Sequence, residues 1–578
     1  MEKGKRVAVK TKSKKRKMTQ EEMENKKKII KRTFFTIVAL LVIFVVAMIA
    51  NNYIILDNNE TTNLIINNKN MTSSLKNEIF IKDNIIYLSK QDIANFFDKH
   101  IYEDEKTNKI ITTYEKKIAE IGFDDNTINI NGSNKEIYAH AIEKDGQTYL
   151  PISEMTDVYN IEMANIPETN IVTIDSLEKA QKRAIVNSNV SVKSSSNFIS
   201  RTVDRIKKGD AVIVVSSDKG YSKIRTGNGK VGIIKTNKLE NEFTIREDMT
   251  EEKQINGKVN LTWDYYSEYA SAPDRTGTKI DGINVVSPAF FYLGTDGKLK
   301  ENVGEEGKAY IKWAKENGYK IWPMVSNAFA AKESLNITSN IMNSYEARKN
   351  LIESIVSKCV EYELDGINLD FENMKAEDKD MYSRFIIELE PRLKEIGMVL
   401  SVDVTAPDGG ETWSMCFDRH VIGDVADYII FMAYDQNGVS SKKPGTTAGY
   451  NWIKLNLVKF LQTEEIDPDK LILAVPFYTR IWTTNQDGKV VANPTISMKD
   501  VNKNIPNGAN KQWNDELKQN YVEYTSGNNK KEIWIEDLES LKAKISLIKD
   551  NNLAGVASWE VDMASDDAWQ MIDKELNK

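Results

Sequence analysis

Cysteine and histidine are nearly missing from this 578-residue chain, which has Cys359 and Cys416 and, for histidine, only His100, His140 and His420. Two thiols cannot build a disulfide framework, and neither cysteine has a neighbour at metal-ligand spacing. Small buried apolar residues are the simpler reading of both. Three scattered histidines give poor support to a histidine metal cluster or a histidine-based hydrolytic triad. Chemistry in this chain therefore has to run mainly on carboxylates. Positive charge is also outnumbered outside one end. Residues 1–32 hold fourteen Lys/Arg against four Glu, a net of +10, which leaves −17 for the rest of a chain whose net charge is −7. An acidic body excludes nucleic acid as the expected partner, because phosphate binding needs a basic face.

What is present divides into segments, as expected for a length that exceeds a single hydrophobic core. Residues 33–50, TFFTIVALLVIFVVAMIA, form eighteen positions without a charge, just long enough for a helix to cross a bilayer. Lys26, Lys27, Lys28, Lys31 and Arg32 precede it, and Asn51 and Asn52 follow. The positive-inside bias predicts a single-pass plasma-membrane protein with residues 1–32 as a basic, solvated cytoplasmic tail and everything after the span extracellular. A cleaved signal peptide is the alternative. It fits less well, since its basic region is long and no A-x-A site precedes Asn51.

Residues 60–177 alternate short apolar runs with Asn, Asp and Gly turns and include two helical patterns, QDIANFFDKH and ISEMTDVYN, so a small α+β domain is expected. The pattern resembles the domain named after the copper amine oxidase N-terminus, although no metal-ligand cluster accompanies it. Residues 182–240 give about five short strands with glycine-containing turns, the pattern of a small β-barrel. This segment resembles a bacterial Src-homology-type domain, with KVGIIK as its closing strand. Glycan binding and simple spacing remain equally open for it. Residues 255–578 change period again. Eight apolar strand-length runs, from KVNLTWDYY to GVASWE, alternate with helical stretches, which predicts a C-terminal (β/α)8 TIM barrel. The fold class is thus multidomain: one transmembrane helix, a small α+β domain, a small β-barrel and a TIM barrel.

The fourth run, DGINLDFE at 365–372, carries the chemistry. Side chains alternate along a strand, so Asn368, Asp370 and Glu372 point together into the barrel while Ile367, Leu369 and Phe371 face the helices. A polar row inside a core strand is costly unless it is hydrogen-bonded or used. Asp365 has the opposite parity and is expected to be structural.

DGINLDFE resembles the D-G-x-D-x-D-x-E signature of family 18 glycoside hydrolases, the chitinases and related N-acetylglucosaminidases. FMAYD, ending at Asp435, is similar to the family's M-x-Y-D element, AVPFYTRIW to its G-V-P-F-Y-G-R element, and GVASWE brings the tryptophan of the last strand. Together with the anchor and wall-type modules, the ensemble resembles the bacterial spore and cell-wall branch. The resemblance implies a retaining reaction assisted by the substrate's own N-acetyl group, without metal or other cofactor. It implies Glu372 as proton donor, Asp370 as holder of the acetamido N–H and Tyr434 as donor to its carbonyl, the three catalytic residues. Asn368, Asp435, Trp559, Tyr478 and Arg480 are the implied substrate-binding residues, with Trp559 as an apolar floor. Asn368 departs from the family's usual Asp, so Asp370 is expected to lack a carboxylate neighbour and to ionise readily. The expected partners are an N-acetylated glycan, peptidoglycan or chitin-like, and the lipid bilayer through 33–50. A chitinase or chitooligosaccharide hydrolase and a non-catalytic wall-glycan-binding protein are the competing readings. Trp263, Trp322, Trp413 and Trp482 fall near strand ends, where stacking on sugar and simple packing are both open. The long segment between positions 480 and 555 is expected to wall one side of the cleft.

Overall fold

A computed structural model of the chain describes residues 18–53, 61–197, 199–249, 254–327 and 333–577. Two compact units divide it: residues up to 80 with 160–249, and 81–159 with the chain from 250 onward. The segment 60–177, read from sequence as one domain, contributes to both.

In the first unit the helix Gln20–Tyr53 contains the whole uncharged run. Among the described residues it is the one helix long and apolar enough to cross a membrane. The helix starts thirteen residues before that run, so Gln20–Arg32 of the basic tail are helical; residues 1–17 of the tail lie outside the described residues. Glu21 and Glu22 at its first turn favour the helix start by complementing its dipole. Beyond the span, Asn63–Ile66 pairs in parallel with Ile171–Ser176, which also pairs with Ile161–Ile166. The strands from Gln181–Val186 to Leu239–Arg246 make one seven-stranded sheet, bent by four register shifts. Val186, Val192, Ile206, Val212, Ile224 and Ile234 fill its core.

In the second unit, eight parallel strands close into the expected barrel. In order they are Val259–Asp264, Val285–Pro288, a third strand in two pieces (Lys320–Ile321 and Met324–Ser326), Gly366–Asp370, Val399–Val404, Tyr428–Met432, Leu471–Pro476 and Gly555–Trp559. The third strand breaks at Pro323, which has no N–H to give the ladder. Strand eight pairs with strand one at Val259↔Gly555, which closes the ring. Gly555 is required there: a Cβ would lie 2.0 Å from the Val259 carbonyl oxygen. Helices follow every strand but the first; residues 265–284 connect strands one and two without one. The alternation in strand four falls as its sequence dictates. Ile367, Leu369 and Phe371 are fully buried, and Phe371 stacks on Tyr382 and Phe385 of the helix Lys379–Glu395.

Residues 81–159 add a five-stranded antiparallel meander, Tyr102–Asp104 to Ser133–Glu136, on the outside of the barrel. Lys349 reaches Glu120 at 2.5 Å, Lys394 reaches Glu115 at 3.3 Å, and Arg384 donates to the His100 carbonyl at 2.5 Å. The long segment after strand seven folds into a five-stranded antiparallel sheet of its own over Ile481, Ile496, Val501, Val522, Ile533 and Ile535.

Candidate active site

The barrel's strand ends open into a cleft of about 1100 Å³. Asp370 and Glu372 line it together, as two residues of equal parity at the end of one strand must. Tyr434 and Asp435 from the end of strand six, Tyr478 after strand seven and Trp559 from strand eight line the same cleft. Six of the eight residues singled out from sequence thus meet in one place.

The remaining two lie behind it. Asn368 is fully buried and absent from the cleft lining. Its Oδ1 accepts from the Trp263 indole at 2.8 Å and from Ser287 at 3.4 Å, and its Nδ2 donates to Ser401 at 3.1 Å and to Asp403 at 2.8 Å. The expected substrate contact is therefore corrected: with its four bonds satisfied beneath the floor, the amide has nothing left for a sugar. Arg480 is 8% exposed, donates to the Asn493 carbonyl at 3.1 Å and stands 3.7 Å from Asp435. It reaches the cleft only through Asp435, which also accepts from the Tyr478 hydroxyl at 2.8 Å.

Burial governs the protonation of the carboxyl groups. The Asp370 carboxyl is pushed up to about 7 by burial, and one of its oxygens has no hydrogen-bond partner. Glu372 is raised well above the ordinary range, by burial first and then by the charges of Asp370 and Asp435, so it keeps its proton at neutral pH. Tyr434 and Tyr478 are likewise held protonated, chiefly by burial. A protonated acid, an aspartate that can ionise near neutrality and a phenol donor around one cavity are the components of acid catalysis on a polar substrate. The expectation that Asp370 has no carboxylate neighbour is overturned by Asp403 of strand five, which lines the cleft and is 1% exposed. Its signal was in the sequence: Ser401, Asp403 and Thr405 alternate in VLSVDVTA as Asn368, Asp370 and Glu372 do in strand four.

Asn327 was also missed. Its side chain accepts from the Glu372 N–H at 3.1 Å and donates to the Glu372 carbonyl at 2.8 Å, clamping the backbone that presents the acid. The lone Asn at the end of an irregular third strand carries no periodic signal. Of the four tryptophans left open, Trp263, Trp322 and Trp482 are fully buried and pack, whereas Trp413 is 44% exposed and lines the cleft. Further aromatic walls include Tyr265 and Tyr269 from the loop after strand one and Tyr292 from the segment after strand two; Tyr265 lies against Trp559 with ring centroids 5.6 Å apart. No cleft-lining residue comes from 482–537, so the expected wall from that segment is replaced by these loops.

Among the described residues one carboxylate trio is close enough to hold a cation, Asp264, Glu560 and Asp562, with oxygens within 4.8 Å. The Arg275 guanidinium already serves two of them, with bonds of 2.9 Å to both oxygens of Asp264 and of Asp562.

Residues 261–564, just over half of the chain, match the family described as Glycosyl hydrolases family 18. The chain belongs to that family. It is a family 18 glycosidase with chitinase-like architecture, preceded by a Copper amine oxidase N-terminal domain matched at residues 45–174. An uncharacterized glycosylase of Bacillus subtilis is 26% identical over 298 residues, which cover 50% of this chain and 84% of that protein. The cortical fragment-lytic enzyme of Bacillus subtilis is 23% identical over 293 residues, covering 46% and 67%. Among solved structures, a chitinase from Chromobacterium violaceum shares the fold with a TM-score of 0.50 at 22% identity, covering 56% of this chain and all of that one.

Proposed function

We propose that this family 18 glycosidase is a membrane-anchored, extracytoplasmic enzyme that cleaves β-1,4 bonds after N-acetylglucosamine in peptidoglycan, of the cell wall or the spore cortex. The observation that carries the reading is the convergence of Glu372, Asp370, Tyr434 and Trp559 on one cleft. Glu372 donates its proton to the glycosidic oxygen as the substrate's acetamido oxygen attacks the anomeric carbon, giving an oxazolinium ion and a free hydroxyl on the leaving sugar. Asp370, ionised, accepts from the acetamido N–H and stabilises the positive charge, while Tyr434 donates to the acetamido oxygen. Water then adds at the anomeric carbon, Glu372 takes its proton back, and the configuration is retained. Trp559 supplies the apolar floor, and Asp435, braced by Tyr478 and Arg480, hydrogen-bonds the sugar. Relatives named as a cortical fragment-lytic enzyme and as a sporulation-specific glycosylase favour a wall glycan over chitin. The apolar helix with its leading basic residues supports the anchor, with the barrel outside.

The test is digestion of purified cell wall and cortex by the full chain in detergent micelles, with mass analysis of the new reducing ends. Ends at N-acetylglucosamine are expected. Ends at muramic acid, or wall retention without any released sugar, sink the assignment. Faster turnover of chitooligosaccharides than of muropeptides would move the substrate to chitin.

A further inference from the structure

The carboxyl of Asp403 has no role in the chemistry above, yet it sits in the same cavity, 1% exposed. Strands four and five pair in parallel with Leu369 opposite Val402, so Asp370 and Asp403 are the next cross-strand neighbours and share the inner face. The orientation of the Asn368 amide is fixed by chemistry: an indole N–H only donates, so the atom facing Trp263 is the oxygen. The amide nitrogen therefore faces Asp403 and donates to its Oδ1 at 2.8 Å. That leaves the Asp403 Oδ2 buried without a partner, as the Asp370 Oδ1 is too.

The titratable groups that face Asp403 are Asp370 and Glu372 from strand four and its end, Tyr434 from the end of strand six and Tyr382 from the helix behind. None of these is a cation. Two adjacent buried carboxylates without a cation cannot both ionise. We infer that Asp403 is held as a neutral carboxylic acid whose free oxygen donates a hydrogen bond to the Asp370 carboxylate, making Asp403 a positioning residue for the group that receives the substrate's acetamide. The Asn368 N–H serves Oδ1 and by itself favours ionisation, against burial and the neighbouring carboxylates, and it leaves Oδ2 as the oxygen free to carry the proton. Burial and the charge of Asp370 raise the Asp403 carboxyl well above the usual range.

This inference rests on the substrate-assisted reading, and the two can fail separately. Asn is the isostere of a neutral Asp: in Asp403→Asn the oxygen still accepts from Asn368 and the new N–H still donates to Asp370. With the full chain on a wall glycan, D403N is expected to keep kcat within about fivefold of wild type, because donor and acceptor are both preserved. D403A is expected to lose about 10²-fold in kcat at nearly unchanged KM, since a loosened catalytic group costs rate more than affinity. The infrared difference between wild type and D403N at pH 7 should carry the carbonyl stretch of a protonated acid. A carboxylate stretch there, a D403N variant as inactive as D403A, or a D403A variant as active as wild type each overturns the inference. If the wild type releases no sugar at all, the substrate-assisted reading falls, while the infrared measurement still judges Asp403.

Discussion

At the scale of single residues, the site works because burial sorts the protons. Glu372 keeps its proton at neutral pH while Asp370, pushed up to about 7, can give its own away. Glu372→Gln keeps the shape but not the proton, so kcat is expected to fall at least ~10²–10⁴-fold, the usual worth of a positioned acid. Glycan retention by the inactive variant, measured by pulldown, should be unchanged; a variant that still turns over would remove Glu372 from its role. The raised Asp370 carboxyl also has a consequence for stability. Its ordinary value is about 3.9, so between about pH 4 and 7 the unfolded chain loses this proton while the native one holds it. Stability from this group is therefore complete below pH 4 and is lost as pH rises through 7. Asp370→Asn abolishes that loss: thermal melts should show the variant gaining on the wild type from pH 4 to pH 8. For the same reason wild-type kcat should fall as pH drops below about 7, where Asp370 takes up the proton it must be without.

At the scale of elements, the seam between strands one and eight holds the floor of the cleft. Arg275 comes from the helix-free loop after strand one and binds Asp264 at the end of strand one and Asp562 just past strand eight. Asp264 is 1% exposed, so without Arg275 its charge is left buried and alone. Arg275→Met should cost roughly 3–5 kcal/mol, the range for breaking a buried pair from one side. Urea denaturation followed by tryptophan fluorescence would measure it, and a loss under about 1 kcal/mol would mean that the pair is solvent-screened, as exposed pairs are. Because Tyr265 and Trp559 meet across this seam, KM for glycan should rise in the same variant. All eight barrel runs were legible as strands, since each is apolar and bounded by turn residues. The missing first helix was not, because no periodicity distinguishes a loop of twenty residues from a poor helix. The sheet built by the long segment after strand seven was read only as length.

At the scale of the whole molecule, an apolar helix opens the first of two compact units. Deleting residues 33–50 should move the protein from the membrane to the soluble fraction while leaving hydrolysis of soluble muropeptides unchanged, as fractionation and a reducing-end assay would report. External protease should reach the barrel of the full-length protein in intact cells; protection of the barrel would reverse the assigned orientation. The meander of residues 81–159 rides on the barrel through Glu120, Glu115 and the His100 carbonyl. Its division from the strands at 63–66 and 161–176 was invisible in the chain, because a unit is defined by which distant segments share a core, and patterning records only that a face is apolar.

The order of elements, the barrel and the inward row of strand four were determined by the sequence itself, since strand alternation and local apolar period are properties of neighbouring residues. The carboxylate beside Asp370 was a matter for the tertiary structure. Asp403 lies thirty-three positions downstream and comes alongside only when strand five pairs with strand four in its particular register. Register also turned Asn368 from a ligand for sugar into a support for Asp403. A side chain's parity can be counted along one strand, but its partner belongs to another, and only the closed sheet brings them together.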